Sequence, residues 1–206
     1  MLKVFYQPSR RELTLGTALI AVVVGLGDVF AHAQGFWFFY VLSPLTFGLL
    51  CVPGAQTRAA LSLGAPWKQW VESNVAVAFC ITLILSIICT ITTAINGFDG
   101  PFRTFLTNND SPVALVHIEK TLITFSVFFC AIFFVAVLGS TIGALQSQSQ
   151  SSRALFYFVG AFFIAAILGF ILGFFNVSLI PGVYIFCLPL STIALGATAF
   201  SARRGL

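Results

Sequence analysis

Residues 75–95 read VAVAFCITLILSIICTITTAI, twenty-one consecutive positions without a charged side chain. A helix of that length rises about 30 Å, the thickness of a bilayer's hydrocarbon core. The run is continuously apolar instead of alternating, which argues against a strand of a membrane barrel. Lipid offers the backbone no hydrogen-bond partner, so a helix is the economical way to cross. Composition extends this reading to the whole chain: 59% of the 206 residues are hydrophobic and 8% charged, and the mean hydropathy is +1.03. A water-soluble domain does not have such a balance.

Working outward from 75–95, five further runs satisfy the same length criterion: 13–32, 35–52, 121–145, 154–175 and 179–200. The fold class predicted is therefore an all-α integral membrane protein of six transmembrane helices, forming a single domain over 1–206. The first run needs a check, because Lys3, Arg10 and Arg11, an apolar stretch and "AHA" at 31–33 together resemble a cleavable signal. That stretch is long for a signal core and contains Asp28, so it is taken as the first span.

The cations orient the spans. With an inside N-terminus, Lys3, Arg10, Arg11, Arg58, Lys68, Arg153, Arg203 and Arg204 fall on the inner side, and only Arg103 and Lys120 fall outside. Positive charge accumulates on cytoplasmic loops, so both termini are expected in the cytoplasm. The longest inner connection is then 53–74, the outer one is 96–120, and 201–206 is a cytoplasmic tail. The formal charge of +4 comes from these scattered flanking residues. It forms no basic patch, and no nucleic-acid partner is expected.

Chemistry-bearing motifs are few. Cys51, Cys80, Cys89, Cys130 and Cys187 lie in or beside spans without CxxC spacing, and read as small apolar fillers. His32 and His117 are the only histidines, so no metal site is expected. The chain has no HExxH, no GxSxG and no GxxxxGK[ST]. It is expected to be no enzyme and to hold no cofactor; any ATP-driven motion would need ATP and Mg in another polypeptide.

Within the spans, Asp28 and His32 are four residues apart and share one face near the outer end of the first helix. As intramembrane ionisable groups they are candidate polar residues of a translocation path. Hydration close to the surface is the plainer explanation of both. Gly139 with Gly143, and Gly169 with Gly173, have the spacing that lets two helices approach closely. Packing within the chain accounts for them, a subunit interface being the alternative. Ser43 and Pro44, and Pro181 and Pro189, predict kinks or broken entries.

The inner connection contains RAALSLGAPWKQWVESN, residues 58–74. Residues 58–63 suit a short helix, Gly64 with Pro66 a turn, and a second helix then runs into the third span. Trp67 and Trp70 would share one helix face, and Lys68 and Glu72 form an i, i+4 pair on another.

The segment LSLGAPWKQW after the second span resembles the leucine-glycine-x-x-basic-x-x-aromatic pattern of type-2 ABC exporter permeases. The leader MLKVFYQPSRRE, the six spans, the NVSLIPG entry to the last span and the terminal FSARRGL are similar in layout. The resemblance implies an interfacial elbow helix at 1–12 and a coupling helix from Arg58 to Glu72, docking in a cleft of a cytosolic ATP-binding cassette subunit. Arg58, Leu63, Gly64, Trp67, Lys68 and Glu72 would carry the docking. We assign Trp70 to anchoring at the lipid boundary, and the stretch from Gly64 to Lys68 to the ATPase groove. It further implies a multi-pass protein of a bacterial plasma membrane, working with a second copy or a similar permease to export a hydrophobic or amphipathic substrate. Two alternatives stand beside it. One is a solute-capturing importer subunit using Asp99, Asp110 and Glu119, and the other a membrane-embedded enzyme using Asp28, His32, His117 and Glu119.

Overall fold

The computed structural model describes residues 10–31, 41–64, 66–95, 117–148 and 179–204. Those residues are all helical or short turns between helices, with no strand among them. The helices are α1 (Arg10–Ala31), α2 (Ser43–Ala55), α3 (Thr57–Ser62), α4 (Trp67–Ile95), α5 (His117–Gln148) and α6 (Leu179–Arg204). Three of them contain stretches long and apolar enough to cross a membrane: Trp67–Ile95, Ile118–Ser147 and Val183–Phe200. The expected fifth span at 154–175, most of the elbow at 1–12, His32, Asp99 and Asp110 lie outside the described residues. Asp28 falls in α1, with its side chain likewise outside them.

Helix α5 is the axis on which α2, α4 and α6 pack. Against α2 the contact is backbone to backbone. A methyl group added at Gly139 would lie 2.5 Å from the Phe47 carbonyl oxygen, and one at Gly143 would meet the Cys51 carbonyl and lie 2.9 Å from the Ala55 nitrogen. Gly54 returns the arrangement from α2, its missing side chain leaving room for the Ser140 carbonyl and the Ala144 nitrogen. Without a hydrophobic driving force in lipid, such close approach is a main source of helix association. The Gly139–Gly143 pair thus packs within the chain.

These pairs also fix direction. Phe47 meets Gly139 and Cys51 meets Gly143, so α2 and α5 run parallel. Ser126 hydrogen-bonds Tyr184 and Thr141 bonds Thr198, so α5 and α6 run parallel as well. Asn74, near the start of α4, bonds Ser140, near the end of α5, which sets those two antiparallel. In α1, Gly16 faces Leu49 and Gly25 faces Ile88, which places α1 alongside α4. The core then lies between α1, α2, α4 and α5, where Ile20, Val24, Leu42, Leu50, Ile81, Leu85, Phe128 and Ile132 form one buried cluster.

The described part of α2 is entered without a break: a wider π turn at Val41 and Leu42 leads directly into it, Leu42 itself being helical, and Pro44 sits in its first turn. Its end differs from the expected Val52, because α2 continues through Pro53 to Ala55. Proline removes one hydrogen bond there, but the glycine-lined contact with α5 holds the last turn in place.

Gly143→Val should lower the thermal unfolding temperature of the detergent-solubilised protein, at a cost of about 3 kcal/mol or more, since the opposing atoms are backbone and cannot yield. Gly48→Ala, where an added methyl group meets nothing within 4 Å, should leave that temperature unchanged. Thr141→Cys combined with Thr198→Cys should cross-link on mild oxidation, and absence of the cross-link would contradict the parallel order of α5 and α6.

Candidate docking corner at the cationic end

Arg10, Arg11, Arg58, Lys68, Arg203 and Arg204 all belong to one end of the bundle, and Lys120 among the described residues to the other. At the cationic end the chain passes from α2 through α3 into α4, and the sequence dictates each step. The Thr57 hydroxyl donates back to the Gly54 carbonyl, which starts α3 immediately after α2. Thr57, Ala60 and Leu61 turn inward, leaving Arg58, Ala59 and Ser62 exposed. The helix closes with the Leu63 N–H on the Ala59 carbonyl at 3.1 Å and the Gly64 N–H on the Leu61 carbonyl at 3.0 Å. Gly64 has φ +82°, a left-handed conformation that a side chain resists, so glycine ends the helix here. Pro66 supplies the first carbonyl of the next helix, accepting from the Trp70 N–H at 3.1 Å.

Arg58 to Glu72 is therefore two helical pieces around a tight turn, where the family resemblance implied one coupling helix. Gly64 and Pro66 are the reason, as the turn expected at these two residues requires. Helix α2 runs to Ala55 and α4 starts at Trp67, so both helices extend into the ends of the expected 53–74 connection.

The assignment of Trp70 to the lipid boundary is overturned. Its side chain is 3% exposed and packs on Ala60 of α3 and Ala144 of α5, with Trp67 and Val71 half-buried beside it. The two tryptophans do share a face, but that face looks into the protein. Small residues opposite make this possible, since alanine at 60 and 144 leaves room for an indole ring. One turn further, Asn74, 2% exposed, donates through Nδ2 to the Ser140 hydroxyl at 2.6 Å. Lys68 also departs from expectation. Its ammonium lies over the Trp67 ring, 5.8 Å from the centroid, a cation–π arrangement in place of the expected pair with Glu72.

What remains outward is compact. Leu63 is 75% exposed, and Arg58, Gly64, Pro66, Lys68 and Glu72 are exposed around it. Helix α4 has 29 residues, a rise of about 43 Å against a hydrocarbon core of about 30 Å, and its uncharged run begins at Ser73, after Glu72. The helix is thus longer than one span needs, and the turn before it carries an exposed apolar residue, Leu63, at its tip.

Of the six expected docking residues, the structure brings Arg58, Leu63, Gly64, Lys68 and Glu72 to this one exposed corner and leaves Trp67 half-buried as support. Sequence reasoning missed Thr57, Asn74, Ser140 and Ala144, which hold the corner onto the bundle. The spacing of Trp70 and Asn74, one helical turn apart, was the available signal.

Comparison with family models, with curated proteins and with solved structures finds no match to this chain. The described residues therefore define the class by themselves: all-helical, with three helices among them long and apolar enough to cross a membrane.

Trp70→Ala should cost about 3–5 kcal/mol, the usual range for emptying a tryptophan site in a packed interior. Leu63→Ala should cost about 0.5 kcal/mol or less, as for an exposed position. Thermal unfolding of the two purified variants checks both, and an insensitive Trp70 would remove the basis for a rigid corner.

Proposed function

We propose that the chain is the membrane-spanning permease subunit of an ATP-driven exporter, docked through the α3–α4 corner onto a separate cytosolic ATPase subunit. The observation that carries this reading is Leu63, exposed at the tip of a braced turn at the cationic end of the bundle. A solitary apolar tip flanked by Arg58 and Lys68, on a corner fastened by Trp70 and Asn74, suits insertion into a groove of a cytosolic protein. Anchor residues of interfaces have this character, a protruding apolar group on a rigid support with charges at the rim.

The six-span layout with both termini cytoplasmic belongs to the same proposal. Two observations support it. The cations gather at one end of the bundle, as cytoplasmic loops require. The end of α5 and the start of α6 lie at opposite ends of the bundle, and thirty residues separate Gln148 from Leu179. A chain making that return has the length of one more span.

In this mechanism ATP and Mg act in the partner. Closure of two ATPase subunits displaces the corner, and the displacement passes through α4 and α5 to change access to a path between permease halves. No residue of this chain performs bond chemistry. The second half is another copy or a similar permease, the membrane is a bacterial plasma membrane, and the cargo is hydrophobic or amphipathic.

Purification in mild detergent should recover a stoichiometric partner that carries a phosphate-binding loop. Leu63→Asp and Lys68→Glu should each abolish that association while leaving the unfolding temperature within about 2 °C of the parent, as expected for exposed sites. Association that survives both substitutions would sink the docking assignment.

A further inference from the structure

Two hydrogen bonds fix the register of the parallel helices α5 and α6. Ser126 bonds Tyr184 toward one end, and the hydroxyls of Thr141 and Thr198 meet at 2.7 Å toward the other. Thr141 also donates to the Ala194 carbonyl at 3.1 Å. Tyr184, Ala194 and Thr198 thus face α5, and Cys187 and Ser191 complete the same recurrence at intervals of three and four residues, the spacing of a seam between two packed helices. Ser191, Ala194 and Thr198 are buried along it.

That register sets two thiols opposite one another. Cys130 precedes Thr141 by eleven residues, and Cys187 precedes Thr198 by the same eleven. Eleven residues are three helical turns to within about 20°. Each cysteine therefore shares the face of its threonine, displaced by the same rise of about 16 Å along parallel axes. Cys130 is also one turn past Ser126, and Cys187 one turn past Tyr184, so the pair is bracketed by contacts on both sides. The two thiols are near enough to interact electrostatically. Both are free and half-buried. Fifty-seven residues separate them in the chain, which is why no short cysteine motif announces the pair.

We propose that Cys130 and Cys187 are a redox pair that closes to a disulfide within the bilayer and ties α6 to the axis helix α5. Two S–H bonds break and one S–S bond forms; the two protons and two electrons pass to a lipid-soluble acceptor of the quinone class, which is reduced to the quinol. The position of the pair sets that class. Cys130 lies in the apolar stretch Ile118–Ser147 and Cys187 in Val183–Phe200, where hydrocarbon excludes the charged glutathione that keeps thiols reduced in water. Of the three long apolar stretches, Val183–Phe200 is the least enclosed, so it is the helix that a covalent tie constrains most. The inference does not draw on the ATPase docking.

The purified full chain in liposomes provides the test. Copper phenanthroline, which lets dissolved oxygen oxidise adjacent thiols, should give a linked peptide joining Cys130 to Cys187, read by mass spectrometry. The link should be lost in Cys130→Ser and in Cys187→Ser and kept in Cys80→Ser. Tetramethylbenzoquinone, whose ring leaves no position for thiol addition, should give the same link with release of its quinol, and glutathione disulfide should give it roughly tenfold more slowly or not at all. The linked protein should unfold at a temperature several degrees higher, and dithiothreitol should reverse the shift. No linked peptide under copper phenanthroline, or a link between other cysteines in its place, would refute the facing thiols. A quinone that leaves both thiols free, or glutathione disulfide acting as fast as the quinone, would overturn the assigned acceptor, and an unchanged unfolding temperature would overturn the tie.

Discussion

The contact on which the rest depends is the meeting of α2 and α5 at backbone distance. Gly139 and Gly143 accept the Phe47 and Cys51 carbonyls, and Gly54 accepts the Ser140 carbonyl from the other side. In lipid, where apolar side chains gain nothing by leaving one hydrocarbon for another, dispersion between closely fitted backbones replaces the hydrophobic effect as the organising force. The contact is directional as well as attractive. It sets α2 and α5 parallel, and it fixes how far along α5 every other helix can lie.

From that contact the cationic end follows. Gly54, seated against α5, also accepts the Thr57 hydroxyl, so α3 begins at a fixed place on the bundle. Ala60 then covers the ring of Trp70, Ala144 covers it from α5, and Asn74 ties the first turns of α4 to Ser140. The turn at Leu63 and Gly64 is thus held from both sides. A force applied to its tip would reach α5 through packed side chains and one buried hydrogen bond instead of being absorbed by a slack loop. The same packing leads directly into the buried core between α1, α2, α4 and α5.

Much of the candidate site was legible because its signals are local. Gly64 and Pro66 announce a turn in any environment, and α3 and α4 stop and start beside them. The charged residues Arg58, Lys68 and Glu72 avoid burial for reasons of solvation that need no knowledge of neighbours. Trp70 was misread for the complementary reason. A tryptophan near a span end suits the membrane interface by composition, and only the presence of two alanines from distant parts of the chain turns it inward. Lys68 likewise lost its expected partner one turn away to an aromatic face next to it.

The sequence by itself determined that the described segments are helical and apolar, where α1, α5 and α6 begin and end to within a few residues, which end carries the positive charge, and that the connection from α2 to α4 folds as helix, turn, helix. These follow from hydropathy, backbone conformation and hydration, which act over one helical turn or one span. Tertiary structure alone decided that Gly139 and Gly143 face α2, that α5 is the axis, and that Trp70 braces the corner. Those facts depend on which helices pair and in what register, and that choice is made by shape across residues ninety positions apart.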